Sequence, residues 1–312
     1  MNTIKGIHHI TAIAGNAQSN YDFYSGVLGM RLVKRTVNFD DPGTYHFYFG
    51  DAQGSPGTIL TFFPWEGVQR GRVGAGMASE IVFTIPANSL EFWKSRLHQA
   101  GCSITEETRF GQSYLLLDDP EGLKLSLTTA SGQVAVKPWF TPEVPEAMAL
   151  QGFHSTTLMV REAKPTMRVL TEVLGYKELD KEGNRTRFSV VNEGVAYLLD
   201  LVEVPGAPPA INAGGTNHHV AFRVADDLLL MEFRKKVVQA GLHITEKIDR
   251  NYFYSLYFRE PGGILFELAS DNPGFLVDEP FETLGHDLKL PPQYEPIRNR
   301  IEQALPPLKF SN

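Results

Sequence analysis

Apolar positions along this chain alternate between two spacings, and the alternation itself repeats. Dense apolar runs from Ile7 to Ile13, Glu80 to Ile85, Phe153 to Val160 and His218 to Val224 have the length of strands. Each is followed by a stretch with apolar residues three and four apart, as at Phe92, Trp93, Leu97 and Ala100, which predicts a helix. Gly101 and Gly241 stand just past two of these stretches, where a left-handed C-cap favours glycine. Further strand-like runs follow, including Tyr45 to Phe49, Tyr114 to Leu117, Phe188 to Val191 and Phe253 to Phe258. Asp119-Pro120-Glu121-Gly122 and Glu260-Pro261-Gly262-Gly263 are turn sequences between the last two runs of their units, so each predicts a hairpin.

The repetition extends to the residues themselves. Tyr24 to Met30 recurs as Leu170 to Tyr176, matching Gly29 to Gly175, and Leu97 to Gly101 recurs as Val237 to Gly241, with Ile-Thr-Glu starting three residues after the glycine in both copies. One unit therefore reads as strand, helix, then three strands, written four times. The expected divisions are an N-terminal domain over 1–130 (units one and two), a connector over 131–150, a C-terminal domain over 151–271 (units three and four) and a tail over 272–312. Pro138, Pro142 and Pro145 mark the connector, and Ile297, Ile301 and Leu305 predict a docked surface helix in the tail.

At 312 residues and 42% hydrophobic content the chain can bury a sizeable core. No apolar run approaches the roughly 18 residues that span a bilayer. The opening residues lead straight into a strand pattern without a signal-peptide core, so the expectation is a cytoplasmic chain with no membrane partner. A net charge of -7 with no Lys/Arg cluster argues against a nucleic-acid partner, and homo-oligomerisation is left open. The single cysteine, Cys102, excludes an internal disulfide and is expected to be a small core residue.

The repeat makes candidate chemistry comparable position by position. His9 on a first strand corresponds to Glu80, Ser155 and His219, and Glu267 in a last strand corresponds to Thr61 or Phe62, Ser126, and Leu199 or Asp200. A lone histidine on an apolar strand is ordinarily a hydrogen-bonded core residue. Two doublets, His8-His9 and His218-His219, at matching positions with a glutamate in the matching last strand point instead to one metal site per chain. Because successive strand side chains face opposite sides, only one member of each doublet is expected to face the cavity, and the second is assigned to the metal. His9, His219 and Glu267 are thus the candidate ligands. Two imidazoles and one carboxylate leave coordination positions free, as in non-haem Fe(II) enzymes that use O2; Mn, Zn and Ni are alternatives. His46, His98, His154, His243 and His286 lack such partners and are expected to be structural or exposed.

Gly6-Ile-His-His-Ile-Thr11, Asn217-His-His-Val-Ala-Phe222 and Pro261-Gly-Gly-Ile-Leu-Phe-Glu267 resemble the vicinal oxygen chelate (glyoxalase, bleomycin resistance, extradiol dioxygenase) superfamily. More narrowly the chain resembles its hydroquinone ring-cleaving dioxygenases, through Arg35-Thr36, Gly57-Thr58, Arg109-Phe110-Gly111-Gln112, Gly152-Phe153-His154 and Gly183-Asn184-Arg185. The resemblance implies an α+β fold of four βαβββ modules paired into two domains with curved mixed sheets. It also implies Fe(II) as cofactor, ligands from the first and fourth modules, and supporting roles for His8, Thr11, His218, Arg250 and Tyr257. The implied reaction opens a hydroquinone or related diphenol with O2, in detoxification of quinones and aromatic compounds. A simple two-residue hairpin loop would set Tyr257 opposite Phe266 rather than Glu267, so its approach to the site requires another register or a bulge. The alternatives on the same scaffold are a glyoxalase-like isomerase or thiol transferase, against which Thr61-Phe62 counts, and a protein that sequesters an aromatic compound.

Overall fold

The computed structural model describes residues 4–129, 136–190 and 195–310; residues 131–135 of the expected connector and Val191 of one predicted strand lie outside the described residues. The first module holds β1 (Ile7–Ala14), α1 (Ala17–Tyr21), β2 (Arg31–Val37), β3 (Tyr45–Gly50) and β4 (Ile59–Pro64). The second holds β5 (Met77–Ile85), α2 (Leu90–Gln99), β6 (Ile104–Arg109), β7 (Gln112–Asp118) and β8 (Lys124–Thr129). The third holds β9 (Phe153–Val160), α3 (Ala163–Arg168), β10 (Lys177–Glu182), β11 (Arg185–Ser189) and β12 (Leu198–Glu203). The fourth holds β13 (Thr216–Val224), α4 (Asp227–Gln239), β14 (Ile248–Asp249), β15 (Phe253–Arg259) and β16 (Leu265–Pro273). Every module has the predicted order of one helix and four strands.

Local chemistry explains where the helices begin and end. Asn16 and Asp226 cap α1 and α4, their side chains accepting from the Ser19 and Leu229 backbone N–H groups. The repeated Val-Leu-Gly closes π-helical turns at Asp22–Val27 and Val169–Val173. Gly29 then has φ +67°, and a Cβ there would sit 2.8 Å from the Val144 side chain, so conformation and space both demand glycine.

The strands form two eight-stranded sheets, ordered β14-β15-β16-β13-β1-β4-β3-β2 and β10-β11-β12-β9-β5-β8-β7-β6. The fold is α+β, of the vicinal oxygen chelate type. The sheets group the modules differently from the expected segments 1–130 and 151–271: the first module joins the fourth, and the second joins the third. Each module's first strand is parallel to its own last strand on one side and leaves its other edge unpaired. Antiparallel β1·β13 and β5·β9 seams satisfy those edges and put the first strands at the centre of each sheet.

All four first strands carry an extra residue at the same place. The register slips between Ile7 and His9 and between Thr11 and Ala12 on the β1·β13 seam, and the second sheet slips at Ala78/Glu80 and Val82/Phe83. The bulged residues are His8, His218, Ser79 and His154. A bulge re-aims side chains that a regular pleat would send to opposite faces.

The C-terminal segment covers β2, the edge of the first sheet. Lys289 N–H donates to the Arg35 carbonyl, and the fully buried Lys34 ammonium lies against Asp278, at 2.6 Å, and Glu279. The predicted tail helix is α5 (Arg298–Ala304); Ile301 and Leu305 are buried and Ile297 is exposed. Cys102 is half-buried and packs against the core edge. No helix among the described residues is long and apolar enough to cross a membrane.

Candidate metal centre

β1, β13 and β16 are adjacent in the first sheet, and they bring His9, His219 and Glu267 together. Their candidate ligand atoms all lie within 4.8 Å of one another. Glu267 Oε2 is 2.8 Å from His219 Nε2 and 3.2 Å from His9 Nε2, and the two Nε2 atoms are 3.4 Å apart. Despite those separations the buried Oε2 makes no hydrogen bond of acceptable direction, whereas Oε1 accepts from Ser255 Oγ at 2.5 Å. An orphaned carboxylate oxygen facing two ring nitrogens is electrostatically costly unless a cation lies among them. The donor set fits a divalent metal.

Each ring is oriented from behind. His8 Nδ1 lies 2.9 Å from His9 Nδ1, and His218 Nδ1 lies 2.7 Å from His219 Nδ1. If His9 and His219 donate through Nδ1, their Nε2 lone pairs face Glu267, the tautomer that metal binding needs. Burial above all holds His8, His46, His218 and His219 below the ordinary imidazole value, with His218 down to about 3. Burial alone would raise the Glu267 carboxyl, but His9 and His219 hold it well below the usual carboxylate range.

Above these groups is a cavity of 440 Å³. His9 and His219 reach it, and Glu267 lies fully buried beneath. Thr11, His218, Arg250 and Tyr257 also line it, while His8 stands behind His9. The expectation that one member of each doublet faces the cavity is corrected for the second doublet: His218 and His219 both line its wall, whereas of the first doublet only His9 does. Tyr257 is paired directly with Glu267, because the hairpin loop runs over five residues, 260–264, rather than two. Arg250 Nε donates to its hydroxyl at 3.3 Å, and burial raises the Tyr257 pKa.

Sequence reasoning passed over several neighbours. His46 was expected to be structural or exposed, yet it lines the cavity between Thr61, at 3.0 Å from Nε2, and Tyr48, at 3.0 Å from Nδ1. Thr61 in turn meets Thr11 at 2.9 Å. Phe39, Phe63, Trp65 and Phe253 supply aromatic walls. The wall residues come from β3, β4, the start of β15 and loops that no periodicity links to the doublets.

The family model described as the glyoxalase/bleomycin resistance protein/dioxygenase superfamily matches residues 6–127 and 152–268. The chain belongs to this superfamily. "Putative ring-cleaving dioxygenase MhqO" of Bacillus subtilis is 44% identical over 304 residues, covering 97% of this chain and 96% of that protein. "Chlorohydroquinone/hydroquinone 1,2-dioxygenase" of Sphingobium indicum is 36% identical over 313 residues, again with 97% and 96% coverage. A Bacillus subtilis crystal structure, described as a putative dioxygenase, superposes with a TM-score of 0.96 at 42% identity over 99% of each chain. Glyoxalase I from Zea mays, at 15% identity and a TM-score of 0.64 over 90% of this chain and 97% of that one, shares the fold.

Within this glyoxalase-type architecture the second sheet holds the matching positions. Parallel register equates Glu267 with Thr61, Ser126 and Asp200, which settles Thr61 over Phe62 and Asp200 over Leu199. Arg109 meets Glu80 at 2.6 Å, and Arg187 grips Asp200 through two bonds of 2.7 and 2.9 Å. Each carboxylate thus has an arginine of the chain itself as its counter-charge.

Proposed function

We propose that this chain is a metal-dependent ring-cleaving dioxygenase of extradiol type, an oxidoreductase that opens hydroquinone or related diphenols with O2 and uses Fe(II) held by His9, His219 and Glu267. The observation that carries the reading is the His-His-Glu set beneath an aromatic-walled cavity of a size suited to a single substituted ring. The names of relatives at 36–44% identity support the reaction class. Thr61 at the fourth matching position leaves the ligand count at three, which suits a centre that takes substrate rather than one closed by protein.

His9, His219 and Glu267 would hold the metal, which would supply Lewis acidity toward a phenol oxygen and redox capacity toward O2. The chain's own residues prepare that encounter. Phe63, Trp65 and Phe253 stack against the ring and exclude water. Thr11 and His218 line the cavity wall, where they would hydrogen-bond a substrate hydroxyl. Arg250 offsets negative charge on the substrate, with Tyr257 fixed beside it as an O–H donor. His8 acts through His9 by holding its ring.

The test is anaerobic loading with Fe(II), followed by O2 uptake with hydroquinone, methylhydroquinone and catechol. His9→Ala, His219→Ala and Glu267→Ala are each expected to lose iron and turnover while staying folded. Iron-dependent turnover retained in any two of them overturns the ligand set. A chain that binds these phenols without metal and consumes no O2 is a sequestering protein, and metal analysis of active material distinguishes Fe from Mn, Zn and Ni.

A further inference from the structure

The connection between the second and third strands of each module differs sharply around the molecule. It spans residues 110–111 in the second module, 183–184 in the third and 250–252 in the fourth, but 38–44 in the first. The first and fourth modules share the sheet that holds the His-His-Glu set, so the long connection and the one carrying Arg250 meet at the same cavity. Phe39 and Tyr257 enclose the Arg250 guanidinium, its carbon 5.4 Å from each ring centroid. Asp41 in the same connection accepts from Nε1 of the wall residue Trp65 at 2.9 Å.

The long connection is also held from outside the modules. Tyr294, in the C-terminal segment, donates its hydroxyl to the Phe39 carbonyl at 2.6 Å. The Lys34 ion pairs and the Lys289 bond to Arg35 dock the same segment on β2, immediately before this connection. We infer that Phe39 is a specificity-determining residue that limits the width of the aromatic cavity, and that Tyr294 is its positioning residue. The inference rests on the aromatic-substrate reading above. Asn38 N–H donates to the Thr44 carbonyl and Thr44 N–H to the Asp41 carbonyl, closing the connection internally, and the Tyr294 bond adds a hold at Phe39 itself, which fixes where the ring stands.

The experiment is calorimetric binding of 4-nitrophenol and 1-naphthol to the Zn(II)-loaded chain, which measures affinity without turnover. Phe39→Ala is expected to shift the preference about tenfold toward 1-naphthol, in line with the effect of pocket volume on discrimination. Phe39→Trp is expected to shift it the opposite way. Tyr294→Phe shifts it about threefold toward 1-naphthol when Phe39 is present and has no further effect on the ratio in Phe39→Ala, a non-additivity that general destabilisation does not produce. An unchanged ratio in both Phe39 variants, or an equal Tyr294→Phe effect with and without the ring, overturns the inference. Failure of the wild-type chain to bind either phenol overturns the aromatic-substrate reading and this assignment with it.

Discussion

Ser255 decides which oxygen of Glu267 faces the histidines, because its hydroxyl takes Oε1 and leaves Oε2 to them. Ser255→Ala is therefore expected to weaken metal binding by about ten- to a hundredfold, the usual effect of losing an outer partner of a ligand. Competition for Zn(II) with a chromophoric chelator measures it, and a change below twofold would mean that packing alone orients the carboxylate. The three candidate ligands were legible because the repeat compares positions: His9 matches His219, and Glu267 is the strong donor among its equivalents. Ser255 and His46 were not. Ser255 matters only through the β15·β16 register, and His46 only because β3 lies beside β4, which carries Thr61.

At the scale of elements, the four modules were legible in the apolar runs and glycines, whereas the bulges were not. A bulge is one extra residue in a pairing, visible only when the partner strand is known, and here the partner strand comes from the other half of the chain. The meeting of first and fourth modules was implied by their shared ligands, and another hairpin register was required for Tyr257, but the sheet pairing and the five-residue loop that realise them needed the partner strands to be known. The bulged His154 shows what such a position costs away from the metal centre. Its ring meets Ser155 Oγ at 3.0 Å, and burial, reinforced by Arg187, lowers its pKa to about 4. Between about 6.5 and that value an unfolded chain binds a proton that the folded chain refuses. The stability contribution is thus complete above the unfolded value and is lost as pH falls toward 4, by on the order of 3 kcal/mol. Urea unfolding of metal-free wild type and His154→Gln at pH 7 and 4.5 checks this: the wild type should lose more stability on acidification. Equal losses would show that His154 titrates normally in the fold.

Across the whole molecule, the two sheets repeat one scaffold with opposite solutions to buried charge. In the second sheet, Arg109 and Arg187 neutralise Glu80 and Asp200 permanently, so that half needs nothing from solution. In the first, Glu267 has no guanidinium of its own, and its partners are rings on the two strands of the central seam, one from each end of the chain. A metal bound there would tie β1 to β13 and β16, stabilising only the folded chain. At a thousandfold excess over its dissociation constant that amounts to about 4 kcal/mol, or roughly six degrees in melting temperature for a chain of this length. Glu267→Ala should abolish the response. In the metal-free chain it removes a carboxylate that His9 and His219 hold ionised and that Ser255 binds, so metal-free Glu267→Ala should melt below metal-free wild type. Calorimetric melting of both chains with and without Zn(II) tests the pair of expectations together. If metal raised both melting temperatures equally, the bound ion would be elsewhere on the molecule; if metal-free Glu267→Ala melted above metal-free wild type, the two histidines would not be stabilising the carboxylate in the metal-free fold.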